Sequence, residues 1–574
     1  MLKKLAPFVG KYKPYAILSP LLIALETFCD VLIPMQMAKI VDVGIPNSDL
    51  PYILKVGGIM VLLAIVALAA GAMCARVAVL ASNGFAQNLM TTLFARVESF
   101  AFKNTDKFTT PSLITRMTND VTNMQSSFQM IIRMLARSPM MLIMATVMAI
   151  RISPKLSVVI LLAIPLLAVV MILLARVAFP RFEAMLKKLD AMNGRTQETL
   201  IGIRVVKAFV RGDYETERFR EAAGDLKKAQ RSAEKTLIAS SPVMQLVMYG
   251  CILLVLWFGS NQIVSGKLLT GGLISFISYI SQILISLMML SFVFVSLVLS
   301  RASAKRIIEV LDEVPAIDGN EDGLDTVADG SVTFDHVDFS YTDSAENLTL
   351  SDINISVESG ETIGIIGESG SSKTTLVQLI PRLYDVLSGS VRVGGHDVRE
   401  YRLDALRGAI GMVLQKNVLF TGTIMENLRW GNEDATDEEI IEACRAAQAD
   451  GFITSFPEGY QTVLGQGGVN VSGGQKQRLC IARALVKKPK ILILDDSTSA
   501  VDTATDAAIR DAFRRLHAET TTFIIAQRIT SVMDADRIIV LHEGKVDGIG
   551  THDELMRTNE IYRDVYTSQQ KGVA

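Results

Sequence analysis

The chain has 574 residues, of which half are hydrophobic and 20% charged, with a net charge of −2 and a mean hydropathy of +0.35. The length allows two to four domains of about 150 residues each, and the near-neutral balance argues against nucleic acid as a partner. Cys29, Cys74, Cys251, Cys444 and Cys480 stand far apart with no C-x-x-C, which argues against a disulfide framework or a zinc site.

Six apolar runs lie before residue 301: roughly 15–40, 54–82, 127–150, 156–178, 241–264 and 272–300. About 20 apolar residues cross a hydrocarbon core ~30 Å thick, so each is read as a membrane span. The basic N-terminus (Lys3, Lys4, Lys11, Lys13) runs into an apolar segment too long for a signal peptide. The loop at 41–51 has no Lys or Arg, whereas the loop at 179–236 carries thirteen. That asymmetry places both termini and the long loops on the cytoplasmic side of a cytoplasmic (inner or plasma) membrane; Arg151, Lys155 and Lys267 run weakly against it.

The two long excursions, 83–126 and 179–240, keep helical periodicity. They are read as extensions of the spans that turn back near Phe108–Asp120 and Val206–Phe219, reaching ~30 to 45 Å at 1.5 Å per residue. Their use would be to press on the domain that follows; the alternative is solvated loops. Glu26 and Asp30 share a face of the first span, and Arg133 and Arg137 a face of the third. Ionisable groups at membrane depth are costly and face a cavity or a partner, so these are read as helix-locking ion pairs or interface arginines ahead of a polar substrate site. Met288, Met289, Phe292 and Phe294 suit either an adaptable apolar cavity or plain helix packing.

An acidic linker at 312–330, with seven acidic residues and no Lys or Arg, separates a membrane domain (1–311) from a second domain (331–574). There short strands alternate with helices, the pattern of an α/β domain. Tyr341, in VDFSY, can stack on an adenine ring or pack a sheet. The stretch Gly367, Glu368, Ser369, Gly370, Ser371, Ser372, Lys373, Thr374, Thr375 follows the apolar run IGII and opens a helix. Strand, Gly-rich turn and helix are the setting of a phosphate-binding loop. Its amides face an anion, Lys373 reaches the outer phosphates of ATP, and the Thr374 hydroxyl ligates Mg²⁺. Ser372 stands where the pattern has its second glycine. The strand ILIL ends in Asp495, placed to hold Mg²⁺ through water, and Asp496 follows where a general base would sit. Ser472, Gly473, Gly474 and Gln475 open a helix and form a second anion site.

The order of these motifs resembles that of the ABC transporter ATPases, and the whole chain resembles an ABC exporter half-transporter. The resemblance implies six transmembrane helices with long intracellular extensions joined to an α/β P-loop ATPase. It makes Tyr341 the adenine-stacking aromatic, residues 367–375 Walker A, and Gln415 the Q-loop residue that touches Mg²⁺. It makes VSGGQ (471–475) the signature, Asp495 the end of Walker B, SAVD with Asp502 the D-loop, and Gln527 the switch residue. GQGG (465–468) lies where exporters contact the short helices that carry closure to the spans.

Three departures stand out. The family has Glu where this chain has Asp496, His where it has Gln527, and Gly where it has Ser372. Asp is one methylene short of Glu, and Gln does not change charge as His does. The expectation is a site that binds ATP well and hydrolyses it slowly, resembling the degenerate subunit of bacterial heterodimeric multidrug exporters. The implied partner is a second half-transporter chain bearing Glu and His, with membrane lipid around both and a small hydrophobic substrate. The rival readings are a homodimeric drug or lipid exporter, and an ATP-gated regulator or channel on the same fold.

Overall fold

The computed structural model describes residues 2–317, 319–496, 502–516 and 519–571. The chain forms two compact units, residues 1–98 with 109–313 and residues 99–108 with 314–574.

In the first unit, six helices are long and apolar enough to cross a membrane: Ala6–Gly44, Leu50–Glu98, Thr110–Ile152, Pro154–Ile201, Pro242–Val264 and Thr270–Phe294. Each contains one of the six runs read from hydropathy, or most of it. The fourth belongs to a 48-residue helix that pairs with the 53-residue helix Gly212–Val264. Phe276, Tyr279, Ile280 and Ile283 of the sixth are fully buried in the core of this unit. Pro34 lacks an N–H, which removes the helical donor of the Asp30 carbonyl. The Gln282 amide lies 3.5 Å from that oxygen, and Tyr279 donates to Val31 O at 2.7 Å. The Gln282 side chain of the sixth helix thus stands where the donor that Pro34 lacks would be.

Arg137 donates to Glu26 at 2.7 Å and to Asp30 at 3.0 Å. One guanidinium on the third span therefore bridges both acids of the first, the helix-locking reading. Gly71 of the second span lies against Glu26, where a Cβ would stand 3.1 Å from the carboxylate.

Both turns lie closer to the N-terminus than expected. The first is at Ser99–Thr109, with a short helix Phe102–Phe108, and not at Phe108–Asp120. Pro111, which marked that stretch as a breaker, sits in the first turn of the next helix, where a missing N–H costs nothing. The second turn is Gly202–Arg211, around the short helix Ile203–Ala208. Its far edge is set by Asp213 and Glu215 in the first turn of the following helix, where the helix dipole favours acids.

The second unit contains twelve strands among its described residues: β1 Val332–Phe339, β2 Leu350–Val357, β3 Thr362–Gly367, β4 Ser388–Val393, β5 His396–Asp397, β6 Ile410–Val413, β7 Gly422–Thr423, β8 Val463–Leu464, β9 Ile491–Asp495, β10 Thr521–Ile525, β11 Arg537–His542 and β12 Lys545–Gly550. β2-β1-β4-β5 form an antiparallel sheet, and β12-β11-β3-β10-β9-β6 a second one, parallel except for β12. β7 and β8 pair separately. β9 and β10 are buried throughout, as strands covered on both faces must be. β10 lies between β3 and β9, with Ile525 opposite both Ile365 and Asp495. That strand order brings the segments after β3, β9 and β10 to one edge, outside the carboxyl ends of parallel strands, where α/β sheets bind ligands.

Candidate active site

Three strand ends converge on the site. After β3 the chain turns through Gly367–Ser372 into the helix Lys373–Gln378. A Cβ at Gly367 would stand 2.2 Å from Leu541 O, so only glycine fits there. Gly370 and Ser372 both have positive φ, +88° and +70°. Ser372 thus adopts the left-handed conformation for which its position usually carries glycine, at a cost of ~1–2 kcal/mol. The loop holds its shape despite the substitution. Lys373 folds back to donate to Gly367 O at 2.9 Å, Glu368 O at 2.7 Å and the Ser371 hydroxyl at 3.3 Å. Burial pushes the Lys373 ammonium below its ordinary pKa, while Asp495 and Asp496 pull it back up.

The Thr374 hydroxyl donates to Asp495 Oδ1 at 3.0 Å. Asp495 is 1% exposed, and its second oxygen is buried with no hydrogen-bond partner. Burial holds its carboxyl above the usual carboxylate range. A hydroxyl and a bare, dry carboxylate oxygen beside a phosphate loop are the oxygen donors that suit Mg²⁺, so Thr374 and Asp495 fit that ion.

Asp496 follows with φ +47°. Gln527 Nε2 donates to Asp496 Oδ2 at 2.8 Å, and the Gln415 side chain also hydrogen-bonds this carboxylate. Burial raises the Asp496 pKa against these two amides. The segments that follow β6, β9 and β10 therefore meet on one carboxylate, a junction that no spacing in the sequence reveals.

Tyr341 is 42% exposed, with its hydroxyl 3.0 Å from Thr375 Oγ1. Tyr384 stands edge-on to it, ring centroids 5.2 Å apart. In the same unit the helix Phe102–Phe108 reaches this corner. Asp106 accepts from the Tyr384 hydroxyl at 2.9 Å, and Lys103 pairs with Asp343. Sequence reasoning missed Tyr384, Asp106 and Lys103, because their meeting depends on a helix more than two hundred residues upstream.

Ser472 caps the helix Gly473–Val486 in a reciprocal box with Gln475. Its oxygen accepts from Gln475 N, which leaves the hydroxyl proton to donate outward. No hydrogen bond among the described residues joins Ser472, Gly473, Gly474 or Gln475 to the loop 367–375. Asp502 accepts from the backbone and hydroxyl of Thr505, capping the helix Thr503–Leu516. The remainder of the SAVD stretch, 499–501, lies outside the described residues. In GQGG, Gly467 and Gly468 have positive φ and present Val469, 79% exposed.

Comparison with known proteins finds matches in both units of the chain. Residues 16–288 match the ABC transporter transmembrane region, and residues 350–499 the ABC transporter family model. An uncharacterized ABC transporter ATP-binding protein of Bacillus subtilis, YfiB, is 39% identical over 97% of both chains. A fatty acid ABC transporter ATP-binding/permease protein of Mycobacterium tuberculosis is 36% identical over 78% of this chain and 71% of that one. Among solved structures, a bacterial Atm1-family ABC exporter with ATP bound superposes with a TM-score of 0.84, at 26% identity, covering 98% of this chain and 99% of that one.

Proposed function

The chain belongs to the ABC transporter family, with the transmembrane region and the ATPase in one polypeptide, and on that premise we propose that it is the slow-site half of a heterodimeric exporter. It is a multi-pass membrane protein of the exporter fold. In this reading both termini and the ATPase face the cytoplasm, and the cargo is a small hydrophobic or amphipathic compound. The fatty acid named for the mycobacterial relative is one such compound.

The observation that carries the reading is the Asp496–Gln527 contact. Lys373 and the backbone of 367–375 grip the phosphates; Thr374 and Asp495 would hold Mg²⁺, which neutralises phosphate charge when bound. Asp496 must then orient and deprotonate a water, but its carboxylate starts one methylene further back than a Glu would. Misplacement by ~1 Å costs ~10²-fold in rate. Gln527 occupies one of its oxygens without being able to take or release a proton. Each half supplies its signature helix to the other's nucleotide, so this chain offers Ser472–Gln475 to the partner's site and keeps its own ATP as a clamp.

The test is composition and rate. Coexpressed with a half-transporter that carries Glu and His at the positions of Asp496 and Gln527, the chain should copurify one to one, and only the pair should hydrolyse ATP quickly. Asp496→Asn should leave the pair's ATPase within about twofold, whereas replacing the partner's catalytic Glu should remove ~10² or more. Equal losses from the two changes, or a fast homodimer of this chain alone, would overturn the slow-site reading.

A further inference from the structure

The switch segment is held from outside the nucleotide site. Gln569, near the end of the last helix (Glu560–Lys571), meets it with both ends of its side-chain amide. Its Nε2 donates to Gln527 O at 2.7 Å, and its Oε1 accepts from Ile529 N at 2.9 Å. A side chain that satisfies a donor and an acceptor two residues apart fixes both position and orientation of the intervening backbone, as a strand partner would. Beyond it, the Ser531 hydroxyl donates to Asp506 at 3.1 Å, so the short turn Ile529–Ser531 is tethered at each end.

The helix that carries Gln569 is itself rigidly seated. Tyr562 is fully buried with its hydroxyl 2.8 Å from His552 Nδ1, and Val565 and Tyr566 pack on the larger core of the unit. Gln569 thus works from a fixed base. The other end of this chain of contacts is the Gln527 side chain, 2.8 Å from Asp496. The reach of that amide is set by where the Gln527 backbone is held, and Gln569 holds it at the carbonyl.

We propose that Gln569 is a positioning residue for ATP hydrolysis: it fixes the backbone from which Gln527 reaches Asp496, and the last helix thereby sets the turnover of ATP bound at this chain's own site. The proposal holds whether that site is slow or fast.

The experiment uses the full transporter assembly and azido-ATP labelled at the α or the γ phosphate, crosslinked at successive times and read on the band of this chain. The α label reports binding and the loss of γ label reports hydrolysis at this site. Gln569→Ala removes both hydrogen bonds, and Gln569→Glu keeps the acceptor for Ile529 N but loses the donor to Gln527 O. Gln570→Ala, at the exposed neighbouring position, is the control. Both Gln569 variants are expected to slow γ-label loss about fivefold or more, with the ATP concentration for half-maximal α label within about twofold of wild type and the control unchanged. In a Gln527→Ala background the Gln569 variants should add nothing, because they act through that side chain. The proposal is overturned by γ-label loss within about twofold of wild type, by binding and hydrolysis falling together, or by full additivity with Gln527→Ala. A wild-type site that never loses γ label would overturn it too.

Discussion

Carboxylates at least half withdrawn from solvent occur in both units, and the fold treats them in opposite ways. In the membrane unit Glu26 and Asp30 are both closed by Arg137. In the ATPase unit Asp495 has one oxygen on Thr374 and the other facing nothing. The first arrangement is closed and ties two spans together; the second leaves a buried oxygen that a cation would suit. A charge at membrane depth is therefore a poor marker of a substrate site when its counter-charge is already within hydrogen-bond distance. A dry oxygen without a partner, which costs ~1–3 kcal/mol, is the better marker of a ligand.

The sharpest test of the second arrangement is its own cation. Lys373→Ala removes the charge aimed at the phosphates, and charge-assisted hydrogen bonds are worth ~1.5–3 kcal/mol each. ATP binding to this chain should weaken ~10- to 100-fold or more, measured by nucleotide titration. An unchanged affinity would put the phosphates elsewhere.

The closed arrangement should fail differently. Arg137→Met strands two carboxylates. Breaking a buried pair costs ~3–5 kcal/mol, but the Arg137 side chain is 41% exposed, so a loss on the order of 2 kcal/mol is expected. The thermal midpoint in detergent should fall by several degrees, and adding Glu26→Gln should recover part of it. A midpoint equal to wild type would erase the contrast between the two regions.

Asp495→Asn should do the reverse in the absence of nucleotide. It keeps the shape and removes an uncompensated charge, so the nucleotide-free protein should gain ~1 kcal/mol while losing Mg²⁺-dependent stabilisation by ATP. The pH dependence has a definite sign. Burial holds the Asp495 pKa above its unfolded value, so the folded state binds more protons and stability falls as pH rises from the ordinary carboxylate value through the raised one. Calorimetry across that window should show the slope in wild type and a shallower one in the Asn variant. The smallest effect belongs to Ser372→Gly, which relieves the left-handed backbone and should stabilise by ~0.5–1 kcal/mol with ATP affinity unchanged.

Much of this was legible in the sequence, for reasons that differ by region. The six spans were readable because length and hydropathy alone define them. The strand, Gly-rich turn and helix around 367–375 were readable because the signal is local, confined to nine consecutive residues. The turns were misplaced because Pro111 signals a break and equally a helix start, and only the backbone tells which. Gln527 was visible as a departure from a pattern, but its contact with Asp496 required the order of β3, β10 and β9. Gln569 carries no motif at all. A glutamine on an amphipathic helix looks like solvent-facing polarity until the switch backbone is found against it.

The segment Ser99–Phe108 folds with residues 314–574 and not with its chain neighbours. Asn104, 3% exposed, donates to Val314 O and accepts from Ala316 N, and Phe108 is 7% exposed. On a ribosome these contacts cannot form in order of appearance. At about 5–20 residues per second the tip of the first hairpin waits roughly ten to forty seconds for these partners. During that interval the Asn104 amide has neither of its bonds to the second unit. A chain that ends after its last span would leave the Asn104 side chain without its bonds to residues 314 and 316.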